Sequence, residues 1–166
     1  MLKAAEPTYR PLEVDEIPIA RDMRAAMVRE LNRTDPDADY PGWRERYAAF
    51  YAPQLREDTA ALFVAEIAGR PVGVAAVYLA QNHRTQIFSK PSAYVSNVWV
   101  EPDHRRKGIA SALTRMTMAW AQGKGCEVVR LRSSDMGRPV YAAIGFVPTD
   151  EMELRFDAPE HRTSRR

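Results

Sequence analysis

Residues 93–125 read AYVSNVWVEPDHRRKGIASALTRMTMAWAQGKG, and this stretch decides the fold. Val95, Val98, Trp99 and Val100 put β-branched and aromatic residues close together, the signature of a buried strand. Pro102 ends that strand, because proline gives the ladder no N–H donor. Ile109, Leu113, Met116 and Trp120 then follow at helical spacing, and Gly123 and Gly125 punctuate the helix end. Between strand and helix lies Arg105-Arg106-Lys107-Gly108-Ile109-Ala110. A helix N-terminus already carries partial positive charge and unpaired N–H groups, so three adjacent cations have the wrong sign for the helix itself. They make sense if an anion arrives, and Gly108 removes the Cβ where backbone must approach it. The turn is either a solvated charged loop or a phosphate cradle, and its surroundings favour the cradle.

Outward from this stretch the chain reads as one α/β domain over residues 1–166, with frayed ends at about 1–7 and 157–166. Tyr9 to Val14 forms a short edge strand around Pro11. Ile19, Met23, Met27 and Leu31 stripe one helix, with Pro18 in its first turn. Thr34 to Gly42 is loop by composition. A second helix spans Trp43 to Ala52, with Trp43, Tyr47, Phe50 and Tyr51 on one side and Pro53 as its stop. That aromatic stripe is core or the lining of a pocket. Leu62–Ile67 and Val72–Leu79 form a hairpin over Ala68-Gly69-Arg70-Pro71. A polar link from Gln81 to Ser92 leads to the central strand. After the long helix come a strand over Val128–Ser133, a helical turn over Pro139–Ile144 and a last strand over Phe146–Phe156.

Composition excludes several classes. Apolar residues make up 45% and charged residues 28% of the 166, with a net charge of +2. Nothing there calls for a nucleic-acid or membrane partner, and no basic stripe accompanies Arg162, Arg165 and Arg166. The sole cysteine, Cys126, permits no internal disulfide and suits a reducing cytoplasm. No apolar run follows Met1-Leu2-Lys3, so no secretory signal is expected, and no His/Cys cluster has metal-ligand spacing.

A second constellation follows the strand after the long helix: Ser134-Asp135-Met136-Gly137-Arg138-Pro139-Val140-Tyr141, then Ala142 to Phe146. Together the two segments resemble the GNAT superfamily of N-acetyltransferases. Arg105 to Ala110 matches that family's acetyl-CoA motif, and Tyr141 to Phe146 its Tyr-x-x-x-Gly-Phe segment. Ser134 stands seven residues before Tyr141, where the family commonly has asparagine. The resemblance implies a mixed, mostly antiparallel central sheet flanked by helices, with a splayed central strand pair. It implies acetyl-CoA as cosubstrate and direct attack by a primary amine in a ternary complex. In that scheme the backbone of Val98, Trp99 and Val100 holds the pantetheine arm as an added strand. Arg105, Arg106, Lys107, Gly108, Ile109, Ala110 and Ser111 bind the diphosphate, and Ser134 contacts the cofactor. A strand N–H near Val98 stabilises the oxyanion, and Tyr141 protonates the departing thiolate.

The general base is left open. Tyr94, Ser96 and Asn97 occupy the strand near the acceptor, while Glu66, His83 and His104 are titratable candidates. The acceptor is a small-molecule amine or a protein amine, and Asp35, Asp37 and Asp39 could attract a cation. The competing reading is a non-catalytic acyl-CoA sensor on the same fold. A homodimer is compatible with the resemblance.

Overall fold

A computed structural model of the chain describes residues 5–81 and 90–154. Five strands form one sheet: β1 (Thr8–Pro11), β2 (Ala60–Ile67), β3 (Arg70–Ala80), β4 (Ser92–Val100) and β5 (Val128–Leu131). Their spatial order follows the chain, β1 to β4 pair antiparallel, and β5 pairs parallel with β4. Helices α1 (Ile17–Asn32) and α3 (Trp43–Arg56) cover one face, with the short α2 (Pro36–Asp39) between them. The other face carries α4 (Ile109–Gly123), against which the short α5 (Arg138–Ile144) packs.

Strand alternation explains the three layers. Ala61, Phe63 and Ala65 of β2 point to the α4 side, with Val95 and Val100 of β4. Leu62 and Val64 point to the α1/α3 side with Val74 and Ala76. Buried on both faces, β2 to β4 read as near-continuous apolar runs. The hairpin turn is tighter than its sequence suggests. Ala68 and Gly69 alone make it, at φ 51° and 76°, the positive pair of a type I′ turn matched to strand twist.

Several expectations change. The first strand stops at Pro11, and Val14–Glu16 forms a 3₁₀ turn. Part of the Thr34–Gly42 loop is α2, capped by the Asp35 carboxylate on the Asp37 N–H. Pro53 lies inside α3 rather than ending it; the bond it cannot donate falls on Ala49, on the exposed face. Leu31 is exposed, and α1 buries Ile17, Ala20, Met23 and Met27 instead. Helix α4 buries Thr114 and Thr117, whose hydroxyls bond the carbonyls of Ala110 and Thr114.

The expected last strand is absent over residues 146–154, where Val147, Met152 and Leu154 are 76–95% exposed. Pro148 lends no ladder donor, and Pro148 to Glu151 has nothing apolar to bury. The remainder of that strand, the tail from Asp157, and His83 with most of its link lie outside the described residues.

Candidate active site

Between β3 and β4 the register shifts, so that Asn97 and Val98 stand opposite Ala75 alone. Asn97 adopts φ 54° in this bulge, a conformation asparagine tolerates better than most residues. Bulges bend and overtwist a strand, and here β4 leaves β5. Their pairing ends at Val95 with Leu131, so residues 96–100 face β3 on one edge and, among the described residues, no strand on the other. The expected splayed pair is therefore formed. Glu101 donates its N–H to Val72 of β3, so alternation turns the backbone of Val100, and of Val98 before it, toward the open edge. Trp99 instead pairs with Val74, and its backbone does not face the opening.

The open edge leads to the glycine turn. Arg106 and Gly108 both have positive φ, at 58° and 78°. A Cβ on Gly108 would meet nothing within 4 Å, so the space before the helix is clear. The first helical bond runs from Ala112 N–H to the Gly108 carbonyl. The N–H groups of Ile109, Ala110 and Ser111 precede it and have no intrahelical acceptor. Gly73 of β3 lets α4 sit this close to the sheet, since its missing Cβ would come within 3.2 Å of Ile109 and Leu113.

Arg105 is engaged elsewhere. Its Nε donates to the Val100 carbonyl at 2.8 Å, and its terminal nitrogens donate to both Glu30 carboxylate oxygens at 2.7 and 2.6 Å. Trp99 Nε1 donates to the same carboxylate at 3.0 Å. What Arg105 offers an anion is charge, while its hydrogen bonds staple the turn to β4 and α1. Those donors hold Glu30 below the usual carboxylate range, the Arg105 bond first. Lys107 Nζ donates to the Asp103 carbonyl, and Arg106 is exposed beside it.

Arg105 also touches the Met136 thioether, bringing the second constellation against the turn. Ser134 Oγ accepts the Gly137 N–H at 3.1 Å and so shapes the start of α5. Tyr141 lies half-buried with its ring edge-on to Phe146 at 5.9 Å. Burial pushes its phenol up from the ordinary value, so it stays protonated through neutral pH. A Cβ on Gly137 would sit 2.9 Å from Tyr141 Cε2, so only glycine leaves room for the ring.

On the α1/α3 side of the bulge lies a cavity of about 220 Å³. Arg24 of α1 and Tyr47, Phe50 and Tyr51 of α3 form one wall. Tyr78, Ser96 and Asn97 of the sheet form the other. Tyr51 and Ser96 share a hydrogen bond of 3.2 Å, and Asn97 Nδ2 donates to Tyr47 Oη at 3.1 Å. The aromatic stripe of α3 is thus a pocket wall, with Tyr51 buried and Phe50 half-exposed.

Neither of the described titratable candidates for the base, Glu66 and His104, lines this cavity. Glu66 is bonded to Arg10 at the β1–β2 edge. His104 lies in the turn after β4, its Nδ1 buried without a partner. Asp35 and Asp37 are held by Arg29 and Arg44, and Asp39 accepts the Asp35 N–H. Arg24 and Glu30 gave no functional signal in the sequence, and Gly137 entered only as part of the second constellation. Ser96 and Asn97 gave one, by their place on the strand near the expected acceptor. Among the described residues no group of acidic, histidine or cysteine side chains could hold a metal, and no helix is long and apolar enough to cross a membrane.

The open strand edge and the helix N-terminus adjoin, an arrangement suited to an extended, phosphate-bearing ligand. The sequence model of the acetyltransferase (GNAT) family matches residues 24–146, and this chain belongs to that family. It is an acyltransferase whose cosubstrate is acetyl-CoA. An aminoglycoside N(6′)-acetyltransferase type 1 of Salmonella typhimurium is 25% identical over 137 residues, 75% of this chain and 94% of the relative. The crystal structure of a GCN5-related N-acetyltransferase from Ralstonia eutropha superposes with a TM-score of 0.78 at 26% identity, covering 92% of this chain and all of the other. A predicted acetyltransferase from Clostridium acetobutylicum, solved with acetyl-CoA, superposes equally well at 21% identity, covering 90% of this chain and 96% of its own.

Proposed function

We propose that the protein transfers the acetyl group of acetyl-CoA to a primary amine of a small molecule, by direct attack in a ternary complex. The observation that carries this reading is the cavity wall at Ser96 and Asn97, the first β4 residues without a β5 partner. A small acceptor seated there lies beside the strand edge that the donor's amide arm would extend. The relatives named aminoglycoside N(6′)-acetyltransferase also support a small-molecule amine.

The residues fit the donor. Val98 has backbone groups on the open edge, and so does Val100, though its carbonyl is engaged by Arg105. Arg106, Lys107 and the N–H groups of residues 109–111 would hold the diphosphate, which the helix dipole also favours. Ser134 retains its hydroxyl proton as a donor. Bound acetyl-CoA supplies an activated acetyl thioester. As the nitrogen–carbon bond forms and the carbon–sulfur bond breaks, the Val98 N–H stabilises the carbonyl oxygen's negative charge. Tyr141 holds the proton that the leaving sulfur takes, a feasible transfer because a thiol titrates near ~8.5 and a tyrosine near ~10. The nitrogen's surplus proton passes to water, since among the described residues the cavity wall offers no carboxylate or imidazole.

The test is thermal unfolding with and without acetyl-CoA, in the wild type and in Gly108→Glu, followed by an amine screen for thiol release. A hundredfold excess over Kd raises the wild-type midpoint by roughly 5–10 °C. The shift disappears in the variant, whose carboxylate occupies the diphosphate position. No shift at millimolar acetyl-CoA would sink the proposal.

A further inference from the structure

The cavity beside the bulge contains a cation without a counter-ion. Arg24 is half-buried at its wall and, among the described residues, makes no ion pair or hydrogen bond. Its neighbours on the same side of the molecule are unlike it: Arg29 and Arg44 each bind two carboxylates. The Arg24 charge is close enough to act on the phenols of both Tyr47 and Tyr51. Those phenols are already bonded, to Asn97 and Ser96 respectively. Apart from Arg24, Ser96 and Asn97 the described residues of the wall are aromatic, and none of them is an acid. A guanidinium removed from part of its water and given no anion is unfavourable until an anion binds.

A second group, on the opposite wall, also lacks its partner. Asn97 is 5% exposed, and its Nδ2 donates to the Ala20 carbonyl at 3.3 Å as well as to Tyr47. Because that carbonyl can only accept, the amide orientation is fixed and the oxygen is Oδ1. Oδ1 is buried without a donor. The cavity therefore has an unpaired cation on its helical wall and, buried in the sheet wall opposite, an unpaired acceptor, a disposition that suits a molecule with both a carboxylate and an amine.

We infer that the acceptor is an α-amino acid with an apolar or aromatic side chain, its carboxylate paired with Arg24 and its amine directed to the Asn97 side. This rests on the reading of the cavity as the acceptor site. An α-amino acid places both groups on one carbon, which suits a cavity of about 220 Å³, smaller than the ~300 Å³ at which drug-sized ligand sites begin. Tyr47, Phe50, Tyr51 and Tyr78 then face its side chain. A polycationic aminoglycoside would meet a cation here instead of the carboxylates it needs, so the specificity differs from that named for the Salmonella relative.

The experiment compares apolar and aromatic α-amino acids with the amines obtained by removing their carboxylates, for example tyrosine with tyramine. Kanamycin serves as the polycation, and thiol release from acetyl-CoA is the readout. The best amino acid exceeds its decarboxylated partner in kcat/KM by about 10- to 100-fold, the range of one charge-assisted bidentate contact. That ratio collapses toward one in Arg24→Gln and is partly restored in Arg24→Lys, with unfolding midpoints recorded to show that both variants fold. Equal or reversed preference in the wild type, kanamycin as the best acceptor, or a ratio unchanged in Arg24→Gln overturns the inference while leaving N-acetylation standing. Binding of acetyl-CoA without turnover of any amine overturns both readings.

Discussion

Replacing Gly137 by alanine adds one methyl group at the point where α5 begins and aims it at the Tyr141 ring. The added Cβ would stand 2.9 Å from Cε2 and 3.5 Å from Cζ. Carbon atoms settle at about 3.5–4.0 Å, so the ring must retreat by roughly 0.6–1 Å. A displacement near 1 Å in a reacting group can lower the rate by about 100-fold. The stability effect is small by comparison. Gly137 has φ −81°, which alanine adopts freely, and the ~0.4–1 kcal/mol gained from a stiffer unfolded chain offsets much of the ~0.5–1.5 kcal/mol of ring strain. The expected result is a kcat lowered about 10- to 100-fold, with an unfolding midpoint within ~4 °C of wild type and an unchanged acetyl-CoA shift. Steady-state thiol release with a saturating acceptor amine measures the first, and thermal unfolding the other two. Gly137→Ala combined with Tyr141→Phe should be no slower than Tyr141→Phe alone, because both act on the same hydroxyl. A kcat within twofold of wild type, or full additivity in the double variant, would refute the claim that Gly137 works by positioning Tyr141.

Tyr141→Phe alone lowers kcat by about 10²- to 10³-fold and leaves the acetyl-CoA-dependent midpoint shift intact. Because burial raises the phenol's pKa, wild-type turnover shows no alkaline loss from this group below about pH 10; such a loss near pH 8 would contradict its assignment as the acid. Glu30→Gln removes the bidentate partner of Arg105 and lowers stability by about 1 kcal/mol at neutral pH, or roughly 2–4 °C. Since Arg105 depresses the folded pKa of Glu30, its contribution is complete above the unfolded value near ~4.3 and is lost as pH falls through the folded one. The gap between wild type and Glu30→Gln should therefore narrow in acid, and a constant gap would show that the charge pair is not its source. Gly73→Ala drives a methyl group against Ile109, Leu113 and the Trp99 carbonyl and lowers stability by about 1–3 kcal/mol. Acetyl-CoA affinity falls with it, because the α4 N-terminus is pushed off the sheet; retention of full affinity would show that the turn does not depend on this contact.

Residues close together in the chain carried most of the legible information. The β4 strand, the glycine turn and α4 form one continuous run, so periodicity and the odd placement of cations at a helix start sufficed to find them. Tyr141 was recoverable because the Gly-Phe segment after it is a local signal too. The expected last strand does not form over residues 146–154 because a segment's own residues show only that a strand could form; pairing requires a partner edge, and none among the described residues meets this segment. The helix through Pro53 was misread in the opposite sense, since a missing donor stops a helix only where the stranded carbonyl has no solvent.

By itself, then, the sequence determined the α/β class, the hairpin, the turn at Arg105 to Ala110 and the tyrosine, each fixed by contacts within a few residues. Only the tertiary structure decided what those parts do to one another. Glu30 lies 75 residues from Arg105 and claims its side chain; Asn97 lies 77 residues from Ala20, whose carbonyl fixes its orientation. Arg24 acquired meaning only when α1 packed it beside the aromatic face of α3 in a cavity with no acid among its described lining residues. Long-range pairs leave no periodicity in the chain, because the packing of layers, not the spacing of residues, brings them together.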